Sequence, residues 1–289
     1  MPAIEVTDLR KSYGPVEAVR GLSFNVEQGE VFGLLGPNGA GKTTTVEILE
    51  GYRKRSSGEV RVLGRDPQNR DRELQQRVGI VLQSSGFYPR VTVREAIEHF
   101  AKPYANRRDA RETIALVGLT EKADTRAKDL SGGQRRRLDL ALALVGDPEL
   151  IFLDEPTTGF DPAARRTAWG VIDKLKQLGK TVVLTTHYLD EAQALADRVA
   201  IVKDGVIVAE GAPGELSRAS ARYRVSYIAA DGRRIEHGTD DPTKLLHELT
   251  SEALARGERL EGLEVTHPTL EDIYLELTAE AEPERETVT

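Results

Sequence analysis

The chain has 289 residues, contains no cysteine and carries a formal net charge of -7. This length suits one large domain, or a domain of common size with a small addition, and it can bury a core without covalent staples. The lack of cysteine excludes a disulfide framework and a thiolate metal site, and the negative charge argues against nucleic acid as the main partner.

The beginning of the chain and its apolar stretches carry information about the compartment. Residues 1–5 lack the basic and apolar regions of a signal peptide. Apolar stretches such as residues 138–145 are too short to span a bilayer and contain a charge. We therefore expect a soluble, cytoplasmic protein, and we interpret the basic runs at residues 53–55 and 135–137 as solvated faces.

The first predicted elements are strands. Alternating apolar residues at 4–9 and 22–26 predict half-buried strands of an N-terminal antiparallel β subdomain, with Tyr13 in a turn between them. A continuous apolar run at residues 31–35 predicts a fully buried strand. Helical spacing at residues 46–49 follows and ends at Gly51.

A glycine-rich turn joins the buried strand to this helix. Its residues are Gly36, Pro37, Asn38, Gly39, Ala40, Gly41, Lys42, Thr43 and Thr44. Such a strand–turn–helix context with Gly-x-x-x-x-Gly-Lys-Thr predicts a phosphate-binding loop, in which glycine N–H groups and the helix N-terminus surround an anion. Lys42 can reach the outer phosphates and Thr43 can bind Mg²⁺. The alternative, a plain turn with an exposed lysine, is disfavoured because every position matches.

The middle of the chain has a different pattern. A second buried strand is predicted at residues 78–82 and ends at Gln83. Thr92 and Glu95 fit a capping box that begins a helix, and another helix is predicted at residues 109–117. We predict a helical subdomain, at about residues 84–145, inserted into an α/β core.

The segment Ser131, Gly132, Gly133 and Gln134 begins a further predicted helix. A hydroxyl and unhindered N–H groups at a helix start can bind a phosphate. An ordinary helix N-cap formed by Ser131 is the alternative, and both descriptions can hold together.

Two carboxylates follow the next predicted strand, residues 150–153. Asp154 can hold magnesium directly or through water, and Glu155 can orient and polarise an attacking water. Two acidic residues at an exposed strand end are the alternative, which the phosphate-binding loop in the same chain disfavours. A strand at residues 181–185 leads to His187, and alternating strands and helices predict a parallel sheet with its site at the carboxyl ends.

Beyond about residue 215 the pattern changes again. Predicted strands at residues 223–228 and 234–236 and near 263–265, with helices at about 242–256 and 270–277, form a small accessory α+β domain, 216–279. The acidic tail from residue 280 is expected to be disordered. The predicted fold class is thus α/β: domain 1–215 has a P-loop core with a parallel sheet, the antiparallel β subdomain and the helical subdomain.

The order of these motifs resembles that of ABC-type ATPases from about residue 3 to residue 215, and residues 130–134 resemble the signature sequence of that family. The resemblance implies that Tyr13 stacks on adenine and that Gln83 contacts magnesium and senses a membrane partner. It also implies that Asp161 lies in a loop crossing a dimer interface and that His187 contacts the γ-phosphate. Residues 159–160 depart from the serine and alanine common there.

By the same resemblance, two identical chains pack head to tail, and residues 131–134 of each complete the ATP site of the other. Residues 267–278, 157–159 and 138–140 resemble bacterial drug-exporter ATPases of the daunorubicin-resistance kind. This implies an ATPase that uses ATP and Mg²⁺ and drives export, with a drug or antibiotic as candidate cargo, through a separate membrane permease. The chain would then lie on the cytoplasmic face of the membrane, held there by the permease.

Two other classes remain as alternatives. An ABC-type ATPase outside transport, in translation or DNA repair, would usually carry two cassettes or a long coiled coil, and neither appears in the sequence. A regulatory module that binds ATP without hydrolysing it is disfavoured because Glu155 and His187 are both present.

Overall fold

A computed structural model describes residues 1–81, 89–219, 223–229, 231–266 and 269–278. The chain divides into two compact units, Met1–Glu210 and Gly211–Thr289. The strands are β1 (Ile4–Tyr13), β2 (Val16–Val26), β3 (Val31–Leu35), β4 (Ser57–Val62), β5 (Val78–Val81), β6 (Leu150–Asp154), β7 (Thr181–Thr186), β8 (Arg198–Lys203), β9 (Val206–Gly211), β10 (Tyr223–Ile228), β11 (Arg234–Thr239) and β12 (Glu261–Thr266).

The helices alternate with these strands through most of the first unit. They are α1 (Lys42–Leu49), α2 (Arg72–Arg77), α3 (Val93–Ala101), α4 (Ala110–Leu116), α5 (Gly132–Leu144), α6 (Pro162–Gln177), α7 (Leu189–Leu195), α8 (Pro213–Ala219), α9 (Pro242–Ala255) and α10 (Leu270–Thr278). Short 3-10 helices lie at Pro67–Asn69, Thr120–Lys122 and Ala127–Asp129. Among the described helices, none combines the length and apolar composition that a membrane span requires.

The central sheet of the first unit has the strand order β5-β6-β7-β3-β8-β9. The pairs β5–β6, β6–β7, β7–β3 and β3–β8 are parallel. Every residue of β3 and of β7 is buried, as expected for strands covered on both faces. The predicted parallel sheet is confirmed, and the carboxyl ends of β6, β7 and β3 lie side by side at one edge.

The predicted antiparallel subdomain is also confirmed. Strand β1 pairs antiparallel with both β2 and β4 in a three-stranded sheet. The predicted turn between β1 and β2 lies at residues 14–15 and not at Tyr13, because Tyr13 ends β1 and pairs with Val16 at the start of β2. The outer half of this hairpin is mostly exposed, so hydrophobic alternation does not mark it in the sequence.

The helices between β5 and β6 pack around a shared apolar core. Val93 and Ile97 of α3, Ile114 of α4 and Leu138 of α5 are buried in it. The predicted capping box is present at α3, where Thr92 Oγ1 accepts from Glu95 N at 3.2 Å and Glu95 Oε2 accepts from Thr92 N at 2.8 Å. These helices form the inserted subdomain of the fold.

The second unit contains an antiparallel sheet in the order β11-β10-β12. Val225 and Ser226 of the central strand are buried, as are Leu270 and Ile273 of α10. This agrees with the predicted α+β character. Helix α8, which the sequence analysis did not predict, contains the boundary that we placed after residue 215.

Candidate functional site

The glycine-rich turn lies between the end of β3 and the start of α1, as the sequence predicts. Gly41 is the N-cap of α1 with φ 101°, and its position leaves no room for a side chain. A Cβ atom there would lie 2.4 Å from the backbone oxygen of Ala18, which belongs to β2. Gly39 also has a positive φ, 84°, but a Cβ atom would meet nothing within 4 Å.

These two glycines give a matched pair of substitutions. Gly41→Ala is expected to lower the free energy of unfolding by about 2–4 kcal/mol, since a left-handed alanine is strained and the β2 backbone must also move. Gly39→Ala is expected to lower the free energy of unfolding by only about 1 kcal/mol, because it introduces the backbone strain without a clash. Urea unfolding of both variants without nucleotide measures the difference. Equal losses of unfolding free energy in the two variants would show that the close approach of Gly41 to Ala18 does not contribute to the destabilisation.

Lys42 begins α1 and is only 6% exposed, which contradicts the alternative of an exposed lysine. Its Nζ donates to the backbone oxygens of Gly36 at 2.7 Å and Pro37 at 3.0 Å. Burial lowers the pKa of Lys42, while the charges of Glu155 and Asp154 oppose that shift. The loop therefore holds a buried amine within electrostatic reach of both predicted carboxylates.

Asp154 ends β6 and faces Thr185 on the neighbouring strand β7. Thr185 Oγ1 donates to Asp154 Oδ1 at 2.5 Å. The backbone of the next residue, Glu155, has φ 45°, a left-handed conformation that costs a non-glycine residue about 1–3 kcal/mol. Its N–H donates to Thr185 O and Thr185 Oγ1, both at 3.1 Å. Thr185 therefore fixes a strained turn that aims the Glu155 side chain.

The side chains of His187 and Thr158 both contact the Glu155 carboxylate. His187 Nδ1 lies 3.2 Å from Oε1, and Thr158 Oγ1 donates to Oε2 at 3.1 Å. The Glu155 side chain remains 17% exposed, so it is held in place and is accessible to water. A carboxylate in this setting can serve as a general base.

The predicted magnesium ligands are Thr43, Asp154 and Gln83. Thr43 lies exposed in the first turn of α1, and Asp154 ends β6, whereas Gln83 lies outside the described residues. No group of three or more His, Cys, Asp or Glu side chains able to hold a metal occurs in the described part of the chain. A hydroxyl and a carboxylate fit Mg²⁺, which takes few protein ligands and completes its shell with phosphate and water oxygens.

Glu50, at the C-terminal end of α1, is a neighbour of Asp154 that the sequence analysis missed. Burial, with the charges of Asp154 and Glu47, raises the pKa of Glu50 to about 8. The native state therefore keeps a proton that the unfolded chain releases near pH 4.5. Stability must fall as the pH rises between these two values.

Glu50→Gln removes this titration. We expect the variant to be more stable than the wild type at pH 8, by on the order of 1–3 kcal/mol, and to differ little at pH 5. Urea unfolding at both pH values tests this, with Glu98→Gln as the control because Glu98 is exposed on α3. The same pH dependence in Glu50→Gln and wild type would contradict a buried, protonated Glu50.

The predicted signature segment begins α5. Ser131 is the N-cap, its Oγ accepts from Gln134 N at 3.3 Å, and Gln134 Oε1 accepts from Ser131 N at 2.9 Å. Ser131 and Gly132 are exposed, and Gly133 is half-buried. The N-cap alternative is therefore correct, and it leaves the glycine N–H groups at an accessible helix start.

An open cleft of about 890 Å³ lies beside this segment. Residues 131–134 line it together with Glu155, Thr158 and Asp161. Neither Tyr13 nor the loop 36–44 is among the described residues that line it. The signature segment thus shares a cleft with Glu155 but not with the phosphate-binding loop of its own chain.

Two other predicted residues lie at distinct places. Asp161 caps α6, accepting from Ala163 N and Ala164 N at 2.9 Å. Tyr13, at the end of β1, is 39% exposed. The Lys11 Nζ and Arg53 Cζ atoms lie 4.9 Å and 5.3 Å from its ring centroid, so two cations flank an accessible aromatic ring.

The solvated face expected for residues 135–137 is wrong at Arg136, whose side chain is 14% exposed. Its Nη2 donates to the backbone oxygens of Asp154 at 2.9 Å and Glu155 at 3.4 Å, and its Nε donates to Pro156 O at 3.4 Å. Asp139 lies three residues later on the same helix, 3.9 Å away. The available sign of a buried pair was this spacing of opposite charges together with the position of Asp139 between two leucines.

Comparisons with known proteins agree with this geometry. A family model described as "ABC transporter" matches residues 19–158. Nod factor export ATP-binding protein I of Burkholderia orbicola (strain AU 1054) is 39% identical over 302 residues, covering 95% of this chain and 96% of that protein. Linearmycin resistance ATP-binding protein LnrL of Bacillus subtilis (strain 168) is 33% identical over 304 residues, covering 95% of this chain and 98% of that protein.

Among the similar solved structures is the ATP-binding cassette MJ0796, described as a dimer in a post-hydrolysis state bound to ADP and Pi. It has a TM-score of 0.64 and 27% sequence identity, covering 72% of this chain and 98% of that chain.

Proposed function

This chain belongs to the ABC transporter family, and we propose that it is the ATP-hydrolysing subunit of an exporter whose membrane permease is a separate chain. The main support is the convergence of Lys42, Asp154, Glu155 and His187 at the carboxyl ends of β3, β6 and β7. The negative charges of Asp154 and Glu155 interact with the Lys42 amine, and His187 contacts Glu155. A cation for phosphate and a base for water are thus close together, as hydrolysis requires.

Different residues near the carboxyl ends of these strands are proposed to bind different parts of ATP. We propose that Tyr13 stacks on adenine, that the N–H groups of residues 36–44 surround the phosphates and that Lys42 neutralises the outer ones. Thr43 and Asp154 would hold Mg²⁺, which offsets phosphate charge when bound. The role of Gln83 as a further ligand stays a prediction.

Glu155 is proposed as the general base. Its carboxylate would accept a proton from the attacking water, while Thr158 holds Oε2 and His187 holds Oε1 in a fixed orientation. Because His187 is 37% exposed, its other ring nitrogen could reach the outermost phosphate. The strained Glu155 backbone is consistent with a position selected for orientation rather than stability.

We propose that the working form is a homodimer in which residues 131–134 of one chain complete the ATP site of the other. Two observations support this arrangement. Among the described residues, those that line the signature cleft do not include the phosphate-binding loop of the same chain. The similar cassette MJ0796 is described as a dimer.

The names of the relatives favour export over the alternatives. One is described as a Nod factor export protein and another as a linearmycin resistance protein. We therefore propose export through a permease, which would hold the chain at the cytoplasmic face of the membrane, and we keep a drug or antibiotic as candidate cargo. The accessory role predicted for residues 216–279 stays a prediction.

Recovery of the tagged full-length chain from solubilised membranes of its own organism tests the exporter assignment. The expected result is a stoichiometric integral membrane protein that remains bound after high-salt washing. A tagged Lys42→Ala chain should recover the same partner, since the loop binds nucleotide rather than permease. Recovery with ribosomes or DNA and with no membrane protein would favour an ATPase outside transport.

A further inference from the structure

The side chain of Glu191 is a buried carboxylate at which three segments of the candidate site meet. It is fully buried, at 0% exposure, and lies in the first turn of α7, four residues after His187. A buried carboxylate is destabilising unless hydrogen bonds compensate for lost water. The hydrogen-bond partners of Glu191 therefore indicate whether its role is structural or functional.

One oxygen of Glu191 joins two other segments. Oε1 accepts from Thr157 Oγ1 at 2.7 Å and from Trp169 Nε1 at 3.2 Å. Thr157, which is also fully buried, lies two residues after Glu155. Trp169 belongs to α6, the helix that Asp161 caps. A single oxygen thus links the segments that carry Glu155, His187 and Asp161.

The other oxygen, Oε2, is buried without a hydrogen-bond partner among the described residues. Burial raises the pKa of Glu191, and the neighbouring side chains of Thr186, Thr157 and Trp169 lower it in part. A partly satisfied buried carboxyl is a poor means of stabilising a fold. Its position between functional segments offers another reason for its presence.

A short chain of contacts leads from Glu191 to the Glu155 carboxylate. Glu191 fixes Thr157, and the adjacent Thr158 donates its hydroxyl to Glu155 Oε2 at 3.1 Å. On the other side of this turn, Arg136 holds the backbone oxygens of Asp154 and Glu155. Displacement of Thr157 would therefore move Thr158 and release the hydrogen bond from its hydroxyl to Glu155 Oε2.

We propose that Glu191 is a positioning residue for ATP hydrolysis, which holds Thr157 so that Thr158 and His187 orient the Glu155 carboxylate together. The proposal rests on the function assigned above to Glu155. Glu191 itself is fully buried and therefore out of reach of solvent, and its effect on the Glu155 carboxylate passes through its contact with Thr157. It should therefore act on the rate of hydrolysis and not on the affinity for ATP.

Removal of one hydroxyl tests this with little change in volume. Thr157→Val is expected to lower kcat about tenfold to a hundredfold, the range for a displaced reacting group, with KM for ATP within about twofold of wild type. Thr157→Ser keeps the hydroxyl and should restore most of kcat. Glu191→Ala should lower kcat similarly, and the double variant should lose little more than the worse single one.

Thr113→Val is the matched control, because Thr113 is another fully buried threonine whose hydroxyl donates to a backbone oxygen, that of Asp109, at 2.8 Å. It should keep the wild-type kcat even if its thermal stability falls as far as that of Thr157→Val. A wild-type kcat in Thr157→Val would overturn the positioning role. So would a loss of kcat in Thr113→Val and in Thr157→Ser as large as the loss in Thr157→Val.

Glu155→Gln, measured in parallel, separates this proposal from the one on which it rests. An inactive Glu155→Gln beside a fully active Thr157→Val would overturn the role of Glu191 alone. Full turnover in Glu155→Gln would instead overturn the assignment of the base, and the role of Glu191 would fall with it.

Discussion

Glu155→Gln is expected to bind ATP as tightly as the wild type and to lose turnover by on the order of a hundredfold or more. The amide keeps the size and the hydrogen-bonding oxygen of the carboxylate, so Thr158 can still donate to it. It cannot accept a proton from water, and the loss therefore falls on the chemical step. ATP binding and phosphate release measured on the same preparation separate the two effects.

Glu149→Gln is the matched control for this substitution. Glu149 directly precedes β6, at the opposite end of the strand from Glu155, and its carboxylate pairs with Arg77 at 2.6 Å. The control should keep wild-type turnover. A Glu155→Gln enzyme that hydrolyses ATP at nearly the wild-type rate would mean that another group activates the water.

Mixing two inactive variants is expected to restore ATPase activity. Lys42→Ala removes the phosphate-binding amine, and Ser131→Arg places a bulky side chain where the signature segment is exposed. Each homodimer should be nearly inactive. In a mixed dimer both defects fall in one site, and the other site has an intact Lys42 and an intact Ser131.

Equal mixing should recover about a quarter of the wild-type activity, because half of randomly formed dimers are mixed and each has one intact site of two. Coupling between the two sites could suppress this recovery. Dilution of the wild-type chain therefore gives a second test, of whether activity depends on dimer formation. The specific activity of the wild-type chain should fall as light scattering shows dissociation. A chain that is monomeric with ATP bound and hydrolyses at full specific activity would contradict a shared site.

Much of the site could be predicted because its residues follow local rules. The phosphate-binding loop occupies consecutive positions between a buried strand and a helix, and Asp154 and Glu155 follow a strand of four apolar residues. Parallel strands bring their carboxyl ends to one edge, so the proximity of these residues to His187 also followed from the order of elements. The N-terminal antiparallel sheet followed from alternation over the buried parts of β1 and β2.

The residues that the sequence analysis missed depend on partners far along the chain. Arg136 is buried because it meets backbone oxygens 18 to 20 residues later. Glu191 is buried because Thr157, 34 residues earlier, donates to it. Charged residues are usually exposed, so composition points the wrong way in both cases, and only the packed fold shows which charges have partners.

Some elements were missed for a different reason. The short helices α2 and α8 have six and seven residues, too few to establish a helical period in the sequence. At α2, Asp71 supplies the cap by accepting from Glu73 N at 2.9 Å. The strained backbone of Glu155 likewise has no sequence signal, since glycine and asparagine are the usual residues in that conformation.

The most direct test of ATP hydrolysis by this protein is phosphate release by the purified full-length chain, with ATP binding measured on the same sample. We expect wild type to bind ATP and release phosphate, Glu155→Gln to bind without release, and Lys42→Ala to bind weakly. If the wild type binds ATP and yet releases no more phosphate than Glu155→Gln, alone and together with its membrane partner, the chain is an ATP-binding regulatory module and not an ATPase.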